Sequence, residues 1–312
     1  LKVLSTITLR LLQLVGVMAG VAVITFLLLR LAPGDPARML AGERASPETI
    51  AAIRLQYGLD LPLWQQFLVY VQNLLGGDFG RSLRFQQPVA DLIQRFMWPT
   101  LFLTGYVVCL AVPPTIVLAI ISARNQGGLA DQAIRLIGVV GMAIPVFWLG
   151  IMMSRFFGVS LGWFPVSGYG NGFGGHLYHL FLPALSTAIW VVPVLTQNLR
   201  AALIDRAGAD FVTAARAQGA SEREIFWKTV LPNAILPTLN LLGVMVAFLI
   251  GGAIIVETVY AVPGLGSLLI GALLGRDYYL VQGLTLVFAF ATVLVTLIVD
   301  LLTAAIDPRV RL

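Results

Sequence analysis

The chain has 312 residues, 58% of them hydrophobic and only 11% charged, and its mean hydropathy is +0.90. A soluble domain carries about 25% charged residues and spaces its apolar positions at helix or strand period, so this composition excludes one and describes an integral membrane protein. The net charge of +5 rests on 20 basic residues, all arginine except Lys2 and Lys228; in such a chain positive charge sets orientation and gives no ground for nucleic-acid binding.

Six runs lack Asp, Glu, Lys and Arg: Leu11 to Leu29, Thr100 to Ser122, Leu136 to Ser154, Leu177 to Leu199, Thr229 to Val256 and Tyr278 to Val299. Each is 19 to 28 residues long, and a helix rising ~1.5 Å per residue needs roughly 20 to cross a ~30 Å hydrocarbon layer. The expected fold is all-α, with six transmembrane helices. A transmembrane barrel would need segments of about ten residues with alternating polarity, which these blocks lack. The first run exceeds the 7 to 15 apolar residues of a signal peptide and reads as a retained anchor. The single cysteine, Cys109, lies inside the second run, so no intrachain disulfide can form.

The segment from Pro33 to Trp98 is polar enough to leave the membrane and reads as short amphipathic helices. Ser46-Pro47 predicts a helix start that Gly58 ends. Asp60-Leu61-Pro62 predicts another, ended by Gly76-Gly77. Prolines at 113, 114, 145, 183, 193 and 237 predict bent spans, because each removes a backbone donor.

With both termini inside, the inner segments carry Lys2, Arg10, Arg124, Arg135, Arg200, Arg206, Arg216, Arg223, Lys228, Arg309 and Arg311, while the short outer loops carry only Arg155 and Arg276. This bias favours cytoplasmic termini. The loop from Arg200 to Lys228 is then cytosolic, and nine of its 29 residues are charged. Asp210 is expected to cap a helix through Phe211, Ala214, Ala215 and Ala217 that Gly219 terminates. Ser221 and Glu224 form a Ser-x-x-Glu capping box for a second helix running into Leu231-Pro232. Its small side chains suit the first helix to enter a cleft on another protein.

Thr213-Ala214-Ala215, then Gly219, then Leu231-Pro232 resemble the EAA loop of bacterial ABC importer permeases, with Thr213 in place of the first Glu. Asp210-Phe211 and Ala215-Arg216-Ala217-Gln218-Gly219 are similar to the dipeptide and oligopeptide branch. So are Pro33-Gly34-Asp35-Pro36, Gly58-Leu59-Asp60-Leu61-Pro62-Leu63, Gly77-Asp78-Phe79-Gly80-Arg81-Ser82, Val256-Glu257, Pro263-Gly264-Leu265-Gly266 and Asp307-Pro308-Arg309. The resemblance implies the type I ABC importer transmembrane fold in the bacterial cytoplasmic membrane. Residues 1–98 would form an N-terminal transmembrane helix and external segment, 99–306 the transmembrane core with coupling loop 200–232, and 307–312 a cytosolic tail. The implied partners are a second homologous permease subunit, two cytosolic ATPases and an external solute-binding protein, and the implied solute is a dipeptide, oligopeptide or related small molecule.

A Walker A motif needs Gly-x-x-x-x-Gly-Lys-Ser/Thr, and Lys228-Thr229 follows Ile225-Phe226-Trp227, which contains no glycine. ATP and Mg would therefore be bound by the separate ATPase subunits, with no cofactor in this chain. The alternative, an ion-coupled secondary transporter, would place ionisable groups in mid-span; Glu257 and Asp300 sit at span ends. Ser167 and Ser267 with His176 or His179 fit no serine-nucleophile motif, and the two histidines lack a third metal ligand. Phe147, Trp148, Trp190 and Gln197 are candidates for lining a solute path.

Overall fold

In hydrocarbon a backbone must satisfy its own N–H and C=O groups, so continuous apolar runs become helices. The computed structural model describes residues 2–31, 37–38, 45–56 and 58–306, and among them helix accounts for nearly all regular structure. The helices are α1 (Lys2–Leu31), α2 (Pro47–Gln56), α3 (Leu63–Leu75), α4 (Val89–Arg124), α5 (Leu129–Ala143), α6 (Val146–Met153), α7 (Gly172–Ala207), α8 (Asp210–Ala217), α9 (Glu222–Ile225), α10 (Leu231–Gly252), α11 (Ile254–Val259), α12 (Leu265–Leu274) and α13 (Tyr278–Ile306). The expected motifs Pro33-Gly34-Asp35-Pro36 and Asp307-Pro308-Arg309, and the tail 307–312, lie outside the described residues.

Four stretches are long and apolar enough to cross a bilayer: α4, α7, Glu222–Gly251 and Tyr278–Ala305. A fifth is a broken pair, Leu129–Ala143 with Val146–Ser160, bent by 92°. The bend expected at Pro145 is thus present, as a full break between two helices. Ile144, ahead of Pro145, is extended at φ −81 and ψ 122, because the proline ring disfavours the α conformation in the residue before it. Helices α4, α7 and α10 continue through Pro113, Pro114, Pro183, Pro193 and Pro237. The described side chains of α1 include the apolar helical stretch Leu12–Leu28.

By packing, the chain forms two units. One contains Leu1–Trp98 and Leu268–Ala291. In it Phe26 of α1 stacks on Tyr70 of α3 at 5.7 Å and meets Phe67 edge-on at 5.3 Å. Ser46 Oγ accepts from the Thr49 amide at 3.2 Å, so it caps α2 as expected. Gly77, at φ +78, closes α3 through Gly77 N to Leu74 O and Asp78 N to Asn73 O. Asp60 is no cap: α3 begins at Leu63 after Pro62, without a side-chain cap. The Gly77-to-Ser82 motif folds over Asp277, whose carboxylate accepts from the Ser82 hydroxyl and from the Arg84 amide. A β carbon at Gly80 would lie 3.0 Å from the Tyr279 ring.

The other unit contains Pro99–Ser267 and Thr292–Leu312. Helix α7 is its axis, more than half buried and packed against α5, α6 and α10. Its buried Leu180, Leu195, Ala184 and Ala188 share a core with Leu103, Ala111 and Tyr260. Alanines there let helices approach closely, which matters in lipid because burial gives little hydrophobic gain. Tyr260 donates to the Gly150 carbonyl at 3.0 Å, and its own carbonyl accepts from the Gly168 amide at 2.9 Å.

Candidate coupling loop and solute path

The loop between α7 and α10 is built from short-range rules. Helix α8 begins at Asp210, but its N-cap is Ala209 and no side chain caps it. The expected Asp210 cap is therefore corrected: Asp210 occupies the first helical position and complements the helix dipole through its charge. The helix ends where Gly219 adopts φ +84, with Gly219 N bonded to Arg216 O at 2.9 Å and Ala220 N to Ala215 O at 3.2 Å. This is a Schellman closure, and it needs the left-handed residue that only glycine supplies without strain. Ser221 Oγ then accepts from the Glu224 amide at 3.3 Å. The reciprocal half of the expected capping box is replaced, since Glu224 accepts instead from Lys228 at 2.7 Å.

Val212 on α8 and Ile225 on α9 are buried together with Leu199 and Leu203 of α7, Ala119 of α4 and Ala234 of α10. Ala215 and Leu231 pack at the edge of this core. Asp210, Thr213, Ala214, Ala217 and Gly219 are exposed, as is Pro232 at the start of α10. The outward face of α8 thus offers small side chains beside the partly exposed ring of Phe211. Arg216 donates to both Glu222 oxygens, at 2.6 and 3.1 Å, clamping the two sides of the turn. Arg124 lies 4.6 Å over the Phe226 ring.

Next to this loop sits a polar cluster that no sequence motif announced. Arg200 donates to both oxygens of Asp131 at 2.6 Å, and the same carboxylate accepts from the Ser122 hydroxyl and, at 2.9 Å, from the Gly127 amide. Asp131 is fully buried. The pair ties α5 to α7, and the signal in sequence is only an acid in the first turn after Gly127-Gly128.

Glu257 is also fully buried. Its Oε1 accepts from the Thr100 hydroxyl at 2.6 Å and its Oε2 from the Ser267 amide at 2.9 Å. The carboxylate sits on the first amides of α12, where a helix favours negative charge. A β carbon at Gly264 would collide with it. Val256-Glu257 and Pro263-Gly264-Leu265-Gly266, separate in sequence, are therefore one structure.

Two of the candidate path residues, Phe147 and Trp190, line a cavity of about 320 Å³ beside Pro145 at the broken span. Gln197 lines a second, of about 340 Å³, with Arg135, Pro193 and Arg200. Trp148 lines neither. His176 and His179 bond through Nδ1 to the carbonyls of Tyr169 and Ser167 at 2.9 and 3.0 Å, fixing the loop before α7. The Ser267 hydroxyl donates within its own turn, to Val262 O or Gly264 O at 2.9 Å. Among the described residues no three His, Cys, Asp or Glu side chains converge as metal ligands would.

Two family profiles match the chain: "Binding-protein-dependent transport system inner membrane component" over residues 115–312, and the N-terminal component of the same transport systems over residues 3–104. The glutathione transport system permease protein GsiC of Escherichia coli is 38% identical over 302 residues, 97% of each chain. A Brucella abortus protein provisionally named a peptide transport system permease is 36% identical over 305 residues, again 97% of each. Among solved structures, the inward-facing MetNI methionine ABC transporter aligns at TM-score 0.53 and 20% identity, covering 69% of this chain and 96% of that one. An amino acid ABC transporter with histidines aligns at TM-score 0.53 and 16% identity, over 69% and 94%. These distant structures establish the fold, that of the type I ABC importer permeases.

Proposed function

Because this chain belongs to the family of binding-protein-dependent transport system inner membrane components, we propose that it forms half of the solute pathway of an ATP-driven importer, beside a second, homologous permease subunit. As an ABC importer permease in the inner membrane it is not itself an enzyme. Two ATPase subunits, which bind ATP and Mg, dock against the exposed face of α8. A solute-binding protein delivers cargo at the opposite membrane face. Both termini are cytoplasmic, in accord with the arginine bias.

The observation that carries this reading is the core shared by α8 and α9 with α4, α7 and α10. ATP-driven closure of the ATPases displaces α8, and that core passes the displacement to the spans. The pathway then shifts between inward-open and outward-open populations. The cavity at the broken span, with Phe147 and Trp190, lies where discontinuous helices of transporters commonly hold solute. The glutathione and peptide permease names of the relatives support a short peptide or peptide-like solute.

The test is uptake of labelled dipeptide and labelled glutathione into proteoliposomes holding the chain with its partner subunits, binding protein outside. Uptake that requires internal ATP and the binding protein is expected. Uptake by this chain alone, driven by a proton gradient, would replace the proposal with secondary transport.

A further inference from the structure

In the unit that contains α1, Val21, Ile24 and Leu28 share one face of its last turns, and Val281 and Gln282 lie on the first turns of α13. Together with Arg276 they line a cavity of about 580 Å³. The helix rises seven steps of ~1.5 Å from Val21 to Leu28, which makes the cavity about 10 Å deep along the axis, within the ~15 Å half-thickness of the hydrocarbon layer.

Three features specify what would fill it. Ile24 and Leu28 remain 58% and 59% exposed, so the slot opens sideways on apolar surface that a water-soluble solute would avoid. Gln282 is 6% exposed, and its side-chain nitrogen has no hydrogen-bond partner among the described residues; it faces the Tyr70 hydroxyl without reaching bonding geometry. A buried, unpaired amide donor is costly unless something accepts from it. Arg276 stands at the end of the slot, exposed, its guanidinium making no hydrogen bond or ion pair among the described residues, with its backbone in the left-handed region at φ 51.

An apolar slot, a free cation at its end and an unpaired donor inside together match an amphiphile with an anionic head. We infer that the slot holds an anionic phospholipid: the phosphate meets Arg276, a glycerol ester carbonyl accepts from Gln282 Nε2, and an acyl chain lies along Val21, Ile24 and Val281. This needs only that the chain be a membrane protein and is independent of its solute or energy source.

The experiment reconstitutes the complete transporter in phosphatidylcholine nanodiscs containing a photoactivatable phosphatidylglycerol and maps the labelled peptides. Label is expected on the last turns of α1 and the first turns of α13. Arg276→Gln should reduce it about fivefold, the factor one basic side chain contributes beside an anionic bilayer. Arg276→Lys, keeping the charge, should retain most of it, and so should Arg155→Gln, which removes an exposed arginine of the other unit. Gln282→Leu should lower labelling while leaving the headgroup preference. Label absent from both segments, or unchanged in Arg276→Gln, overturns the assignment. So does displacement of the label by inorganic phosphate alone, or a disulfide from Ile24→Cys to a cysteine on the second permease subunit, which would make the slot a protein contact.

Discussion

Thr100 stands between Glu257 and the amide end of α12: its hydroxyl donates to Glu257 Oε1 at 2.6 Å and accepts from the Leu265 amide at 2.8 Å. One side chain 157 positions away thus completes the pairing of a buried acid and of a helix terminus. Thr100→Val keeps the shape and removes both bonds, leaving a buried acceptor and donor unpaired at a cost of about 1–3 kcal/mol each. The variant should melt at a lower temperature in detergent, with Thr100→Ser close to wild type. Equal melting of all three would show that the bonds add nothing.

The turn at Gly219 is open: a β carbon there would meet nothing within 4 Å. Any effect of substitution is therefore backbone strain alone. Asn enters the left-handed region far more readily than a β-branched residue. Gly219→Asn should transport nearly normally, whereas Gly219→Val should assemble and lose ATP-coupled uptake. A fully coupled Gly219→Val protein would refute the account of the loop.

Asp131 and Arg200 form a buried pair, and removing one partner strands the other's charge. Asp131→Leu and Arg200→Met should each destabilise strongly. The double variant Asp131→Leu with Arg200→Met should recover part of the loss, as a double-mutant cycle reveals. Additive losses would mean that the two residues act separately.

Orientation can be read with thiol chemistry in a Cys109→Ala background. Asn171 is exposed and makes no capping bond, and Gln218 is exposed in the turn after α8. Asn171→Cys should react with an impermeant reagent in intact cells, and Gln218→Cys only after permeabilisation. The reverse pattern would invert the proposed topology.

What was legible in the sequence was local. Gly219, Gly77 and Ser46 act within one turn of where they stand, so the terminators and the cap of α2 could be placed by residue type. The start expected at Asp60-Leu61-Pro62 moved to Leu63, and the cap expected at Asp210 moved one residue to Ala209, because a helix can begin on a proline or a bare backbone without a side-chain cap. The break at Pro145 carries the same local signal as Pro113 or Pro193, yet only one of the three separates two helices; neighbouring helices decide which freed backbone groups are satisfied. Asp131, Asp277 and Glu257 were the least legible. Their partners Arg200, Ser82 and Thr100 lie 69, 195 and 157 positions away, and nothing in an isolated acid distinguishes burial from a place at the interface.

Val212 and Ile225 flank the Gly219 turn and are anchored in the same patch of core as Leu199 and Ala234. A segment held on both sides of its bend cannot swing like a flap on one pivot. Pressed from outside, it would behave as a wedge, loading the end of one span and the beginning of the next together. The two spans therefore share a single mechanical input, and a lesion in either seat of the wedge, Val212 or Ile225, should silence both.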